Sequence, residues 1–246
     1  MTEKPVYGMK LQPALIFIRI ILFTAFSGFL QLFCEAQQIS VVNPYILPNE
    51  MNFRKTQEFN EVIDFAQINY KKINAVIFYL TNEIRVNHQL KPLGFSPELE
   101  CSAMMHADDM ANGGFFNHIN SGDKNKQTPN DRARLCNVKN PMLAENIIEG
   151  FGLKYKANSK AYIRGKGNFS TTPDGDLIPP HTYLSLGESL LDSWMKSADH
   201  LANILSSDAL QLGCGTSYFE NYGFNDMPTF YAVQNFQLYH AVIPNR

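Results

Sequence analysis

The order in which hydrophobic periodicity changes along this chain restricts its fold more than any single motif does. Ile73, Val76, Ile77, Leu80 and Ile84 recur at helical spacing. "KINAVIFYLTNEIRVNHQL" is therefore predicted to be an amphipathic helix with one buried face, ended by Pro92 and Gly94. "SPELECSAMMHADDMANGG" opens on a Ser cap with Pro at the first helical position and Glu98 in the first turn, and it stops at Gly113-Gly114. Its inner face carries Leu99, Ala103, His106, Ala107 and Met110. A third helix, "YLSLGESLLDSWMKS", aligns Leu186, Leu190, Leu191 and Trp194. The period then shortens: "ALQLGCGTSYF" and "MPTFYAVQNFQLY" read as two closing strands, the second rich in aromatic and β-branched residues. Helices and antiparallel strands mix without a regular βαβ alternation, so the class is α+β.

Between these segments, "LAENIIEGF" is either a strand or a tight turn followed by one. Residues 117 to 131 are predicted to form a polar loop. Residues 152 to 183, rich in Gly, Ser, Pro and Lys, form a long excursion with little core, expected to be a mobile flap over or beside the site. Residues 37 to 66 mix Pro44, Pro48 and polar residues and read as a linker with one short helix near "FNEVIDFA".

The first 36 residues are not expected to be fold. Lys4 and Lys10 precede an apolar run that ends at "CEA", the pattern of a secretory signal peptide cleaved after Ala36. The stretch 20 to 33 is short of the roughly 20 residues a membrane span needs, so no permanent span is expected after cleavage. The boundaries are thus a signal peptide at 1–36, a linker or N-terminal extension at 37–71 and one domain at 72–240. The expected location is outside the cytoplasm, either secreted or in the periplasm or cell envelope. An uncleaved anchor is the weaker reading of the leader.

Hydrophobic content of 45 % and charged content of 18 % are those of a globular chain. Without Lys4, Lys10, Arg19, Glu3 and Glu35 the mature chain carries 18 basic and 21 acidic side chains, a net charge of −3. No basic excess supports nucleic-acid binding. Of the cysteines, Cys101, Cys136 and Cys214 remain, which permits one disulfide and one free thiol in any of three pairings. No two have zinc-ribbon spacing.

Four pieces occur in order: "NEIR" in the first helix, "FFNH" after the second, "AEN" in the middle, and "SWMKSADHLANIL" followed by "LGCG". Together, from about Ile73 to Phe236, they resemble the cysteine-rich secretory, antigen 5 and pathogenesis-related (CAP, or SCP-like) domain in its bacterial form. The resemblance implies an α-β-α sandwich with an antiparallel sheet between helices, and a shallow cleft of two histidines and two acids. The matching positions are His118, Glu145 and His200, with Glu188 as candidate for the second acid. Three departures stand out. Ala144 replaces the usual Gly, Asp199-His200-Leu201 replaces G-H-R, and Glu188 lies one place from the usual acid, so its side chain points about 100° away. His181 is a substitute ligand if Glu188 misses the cleft.

Two imidazoles with carboxylates suit a divalent cation such as zinc, or general acid–base work. His118, His200, Glu145 and Glu188 are therefore the candidate metal ligands, and Glu145 and Glu188 the candidate catalytic acids. No "GxSxG" or "HExxH" occurs. The readings are a binding module for a divalent metal or a small ligand such as a lipid or glycan, a metal-assisted hydrolase of peptides or cell-wall material, and a structural protein with a vestigial cleft. Read singly, His106 is a hydrogen-bonded core histidine, Asn82 and Arg85 tether a loop, and Trp194 is core.

Overall fold

A computed structural model describes residues 50–245. The expected signal peptide and residues 37–49 lie outside the described residues. Within them, five α-helices pack around a four-stranded sheet of order β1-β5-β6-β2. The helices are α1 (Tyr70–Asn87), α2 (Pro97–Gly113), α3 (Pro129–Leu135), α4 (Tyr183–Met195) and α5 (Ala198–Ile204). The sheet contains β1 (Gly94–Phe95), β2 (Leu143–Phe151), β5 (Ala209–Asn221) and β6 (Met227–Leu238), and β3 (Tyr162–Gly165) pairs with β4 (Asn168–Ser170) in a separate hairpin. The class is α+β with helices on both faces. The sheet is mixed, however, because β1 runs parallel to β5 through Gly94 and Phe95.

The caps behave as their chemistry requires. Ser96 accepts a hydrogen bond from the Leu99 N–H, and Gly114 closes α2 in the left-handed region at φ 63°. α1 ends earlier than its apolar period: Gln89 takes φ 61° and breaks it before Pro92. Arg85 then donates to the carbonyls of Lys91, Ile204 and Ser206, and Asn82 exchanges two hydrogen bonds with Leu93. Both residues tether loops, as expected.

The core forms on both sides of the sheet. On one face α1 and α4 bury Ile73, Ile77, Leu186, Leu190 and Trp194 against Leu212, Cys214 and Phe236. On the other, α2 lies directly on β5. A Cβ at Gly213 would sit 2.0 Å from the Glu100 nitrogen, and one at Gly215 would sit 2.1 Å from the Met104 nitrogen. The "GCG" triplet is thus a docking strip, with two glycines under the helix and Cys214 buried on the opposite face. Cys101 and Cys136 form a disulfide joining α2 to the end of α3, and Cys214 is free and buried. Cys101 lies on the exposed face of α2, where it is bonded to Cys136.

Two segments differ from their compositional reading. The stretch 50–69, read as part of a linker, is pinned by Phe53, Phe59 and Ile63, which are 2–3 % exposed, and Phe53 stacks on Tyr79 at 5.4 Å. It forms 3-10 turns at Glu50–Lys55 and Gln57–Phe59, with no helix at "FNEVIDFA". The excursion 152–183 has a small core of its own, in which Leu153, Phe169 and Ile178 bury against Met227. It leaves the sheet after Phe151, about 20 Å along β2 from Glu145 at a strand's rise of about 3.3 Å per residue. It is therefore an anchored subdomain at the far end of β2, and the flap expected beside the site is corrected accordingly. The polar loop expected at 117–131 gives way at Pro129 to α3, opened by a capping box between Thr128 and Asp131. Among the described residues no helix is long and apolar enough to cross a membrane.

Candidate functional site

β2 is an edge strand, and its first half carries the site. Successive side chains alternate faces, so Glu145 turns toward α2 and Asn146 toward α1. Register pairs Glu145 with Asn235 and Asn146 with Gln234 on β6. The carboxylate of Glu145 is 2 % exposed and fully engaged. His118 Nδ1 donates to Oε1 at 2.9 Å, and Arg132 Nη2 donates to Oε2 at 2.7 Å. With its amide oriented to satisfy both neighbours, Asn235 also donates to Oε2 at 3.0 Å and accepts from the Ala103 N–H at 3.2 Å.

Arg132 has no exposed side-chain surface. It reaches Glu145 from α3 and also donates to the carbonyls of His118, Lys126 and Gln127 at 3.0–3.3 Å. One buried guanidinium therefore fixes both the acid and the loop that presents His118. The disulfide at Cys136, whose N–H bonds the Arg132 carbonyl at 3.1 Å, holds α3 against α2. His106 completes the buried side: its Nε2 lies 2.9 Å from the Asn117 carbonyl and 3.8 Å from Glu145 Oε1. Burial pushes its imidazole down to about 4, with the Glu145 charge opposing. It is the core histidine the helix pattern implies, and it also borders the site.

His200 approaches from α5. Its carbonyl accepts from Asn146 Nδ2 at 3.1 Å; Asn146 also accepts from Asn203 at 2.8 Å and donates to Gln234 at 3.1 Å. Gln234 continues the chain to Thr81 on α1 at 2.7 Å. This buried amide ladder sets the position of α5. The His200 imidazole is pushed below its ordinary value, first by burial and then by the neighbouring His118. Its Nδ1 is buried without a partner. Because His118 Nδ1 is committed to Glu145, the outward Nε2 of its half-exposed ring carries the lone pair.

The structure brings His118, Glu145 and His200 together and leaves the other two candidates elsewhere. Glu188 binds Arg54, which also grips Glu83, tying the N-terminal segment to α1 and α4. His181 sits at the start of α4, its Nδ1 2.9 Å from Ser185 Oγ, and its N–H donates to the Gly152 carbonyl. That position is at the opposite end of β2 from Glu145. Burial and the Lys154 charge push His181 down to about 4. Among the described residues no group of three or more His, Cys, Asp or Glu is arranged to hold a metal ion. The donors that fit a cation are the two imidazoles, with Glu145 behind His118 as the group that orients it. Sequence reasoning missed Arg132, Asn235 and the Asn146–Asn203 pair; Asn146 and Asn203 lie inside "AEN" and "LANIL", where the motif itself marks them.

A three-layer α-β-α domain with a two-histidine, one-carboxylate site at a sheet edge defines the class. Residues 78–236 match the sequence profile of the cysteine-rich secretory protein (CAP) family. The chain belongs to that family. Among solved structures, it is similar to an extracellular protein containing an SCP domain from Bacillus anthracis, at 21 % identity and a TM-score of 0.46. That match covers 69 % of this chain and 41 % of the other, so this chain spans well under half of that protein. An outer surface protein from Borrelia burgdorferi matches at 13 % identity and a TM-score of 0.42, covering 72 % of this chain and 98 % of its own. No curated protein sequence matches this chain significantly.

Proposed function

We propose that this protein is an exported CAP-domain binding module in which His118 and His200 together contact a divalent cation or the polar group of a small ligand. The observation that carries this reading is the Arg132–Glu145–His118 relay. A buried acid fixed by a buried cation holds His118 Nδ1 at 2.9 Å and so leaves Nε2 as the ring nitrogen free to contact a ligand, and His118 is near enough to His200 to lower that imidazole. An imidazole backed by a carboxylate in this way is more basic toward a metal and is fixed in one tautomer. Two nitrogen donors make an open site of modest affinity, unlike the closed four-ligand sites of structural zinc. When bound, the cation would supply a Lewis-acid contact for a carbonyl, hydroxyl or phosphate oxygen. Export is supported by the leader pattern and by the Cys101–Cys136 disulfide, which persists in oxidising compartments.

Calorimetric titration of zinc tests the reading. Both imidazoles must be neutral to bind, so affinity falls on acidification. His118→Ala and His200→Ala each remove most of the binding, Glu145→Gln weakens it by roughly 10–100-fold through loss of orientation, and Glu188→Gln and His181→Ala leave it unchanged. Equal, pH-independent binding by the double histidine variant would end the cation reading. Turnover of a peptide or cell-wall substrate that is lost in His118→Ala would move the assignment to the metal-assisted hydrolase.

A further inference from the structure

A second surface lies along the same face of the sheet. Beyond the end of α2 and the turn between β5 and β6, a groove of about 790 Å³ is lined by Asn112, Phe219, Asn221, Tyr222 and Tyr231, among others. Phe219 and Tyr231 of its lining stack at 4.4 Å and 28°, and Phe116, outside the lining, continues the stack on Tyr231 at 5.3 Å and 24°. Phe116 is 47 % exposed and Tyr222 is 80 % exposed, so two flat aromatic faces meet solvent. The polar side chains of the lining include the amides of Asn112 and Asn221 and the phenols of Tyr222 and Tyr231, while the Glu220 carboxylate is taken by Lys166 at 2.9 Å. Glu149 stands beside Tyr231 in register, two positions along the same face from Ile147 and four from Glu145.

We propose that this groove binds a neutral oligosaccharide. Flat aromatic faces pack against the C–H face of a pyranose ring, and the amides and phenols around them bond the hydroxyls. The remaining chemistry excludes the competing ligands. No Lys or Arg lines the groove, so an acidic chain or a nucleic acid would find no cationic partner in its walls. Amides and phenols in the walls would lose water without gaining a partner under a lipid tail. Phe116 prolongs the aromatic stack beyond Tyr231, which suits an extended chain of sugar units. The assignment goes beyond the His118–His200 reading and requires no cation.

The test is calorimetry of the purified protein in EDTA against hexasaccharides of β1,4-glucose, β1,4-N-acetylglucosamine, β1,4-mannose and α1,4-glucose. A hyaluronan hexasaccharide and dodecanoate serve as acidic and lipid probes. At least one neutral hexasaccharide binds, Tyr222→Ala and Phe116→Ala each weaken it at least 5-fold, and Tyr222→Phe restores it. Tyr222 is so exposed that its loss cannot unfold the chain. Absence of binding by all four neutral sugars, binding indifferent to both aromatic substitutions, or preference for the acidic or lipid probe would overturn the assignment.

Discussion

Replacing Arg132 by Met removes the group on which the histidine site is built. The guanidinium is fully buried, donates to Glu145 at 2.7 Å, and supplies donors to three carbonyls. Breaking one side of a buried, hydrogen-bonded ion pair costs about 3–5 kcal/mol, because the remaining charge stays desolvated. Methionine fills most of the volume, so the loss reports the charge and its hydrogen bonds and not a cavity. Glu145→Gln strands the cation instead and is expected to cost a similar amount. The double variant strands neither charge, so its cost falls short of the sum of the singles by about 2–3 kcal/mol. Urea unfolding followed by circular dichroism measures all four proteins. Single variants within 1 kcal/mol of the parent, or costs that add across the cycle, would show that the pair is incidental to the fold.

Further outcomes follow from the packing. Burial holds His106 near 4, while the unfolded chain takes up its proton near 6.5, so the stabilisation is complete above 6.5 and is lost as pH falls toward 4. That gap corresponds to about 3 kcal/mol; His106→Gln should flatten the unfolding free energy across this window, and an unchanged slope would contradict the assignment. Opening the Cys101–Cys136 bridge, which closes a separation of 35 residues, should cost about 4 kcal/mol by chain entropy. Urea midpoints with and without a reductant measure it, and buried Cys214, whose thiol burial pushes up, should stay unalkylated in the folded protein. Gly215→Ala forces a methyl to 2.1 Å from the α2 backbone and should cost at least about 3 kcal/mol; a midpoint equal to the parent's would mean that α2 does not rest on that strand.

What the sequence disclosed follows how locally each feature is encoded. The Ser96 cap, the Gly114 stop and the closing strands are written in adjacent residues, and they fold where the pattern places them. His118, Glu145 and His200 were legible because each sits in a short motif whose order is characteristic. Arg132 was not: it lies in "NDRARLC", where Arg134 has the same surroundings in sequence yet is 57 % exposed and bonds only Asp131. Only the docking of α3 decides which arginine turns inward. Glu188 had the right residue type on the right helix, but its rotation faces Arg54 and not the cleft. Phe169 and Ile178 looked like isolated apolar residues in a polar excursion because their partner, Met227, arrives from a distant strand. Phe53 and Phe59 were hidden similarly, since their partner Tyr79 lies on a helix further along the chain.

On the proposed reading, His118 and His200 form one contact point, oriented by Glu145 and Arg132 and separate from His106 and His181. Nitrogen-15 spectra of the histidine side chains during a zinc titration test it most directly. His118 is expected to be a single tautomer protonated at Nδ1 before metal is added, and only the His118 and His200 resonances are expected to shift as zinc binds. Shifts at His181 or His106, or a His118 ring already protonated at Nε2 and indifferent to Glu145→Gln, would contradict it.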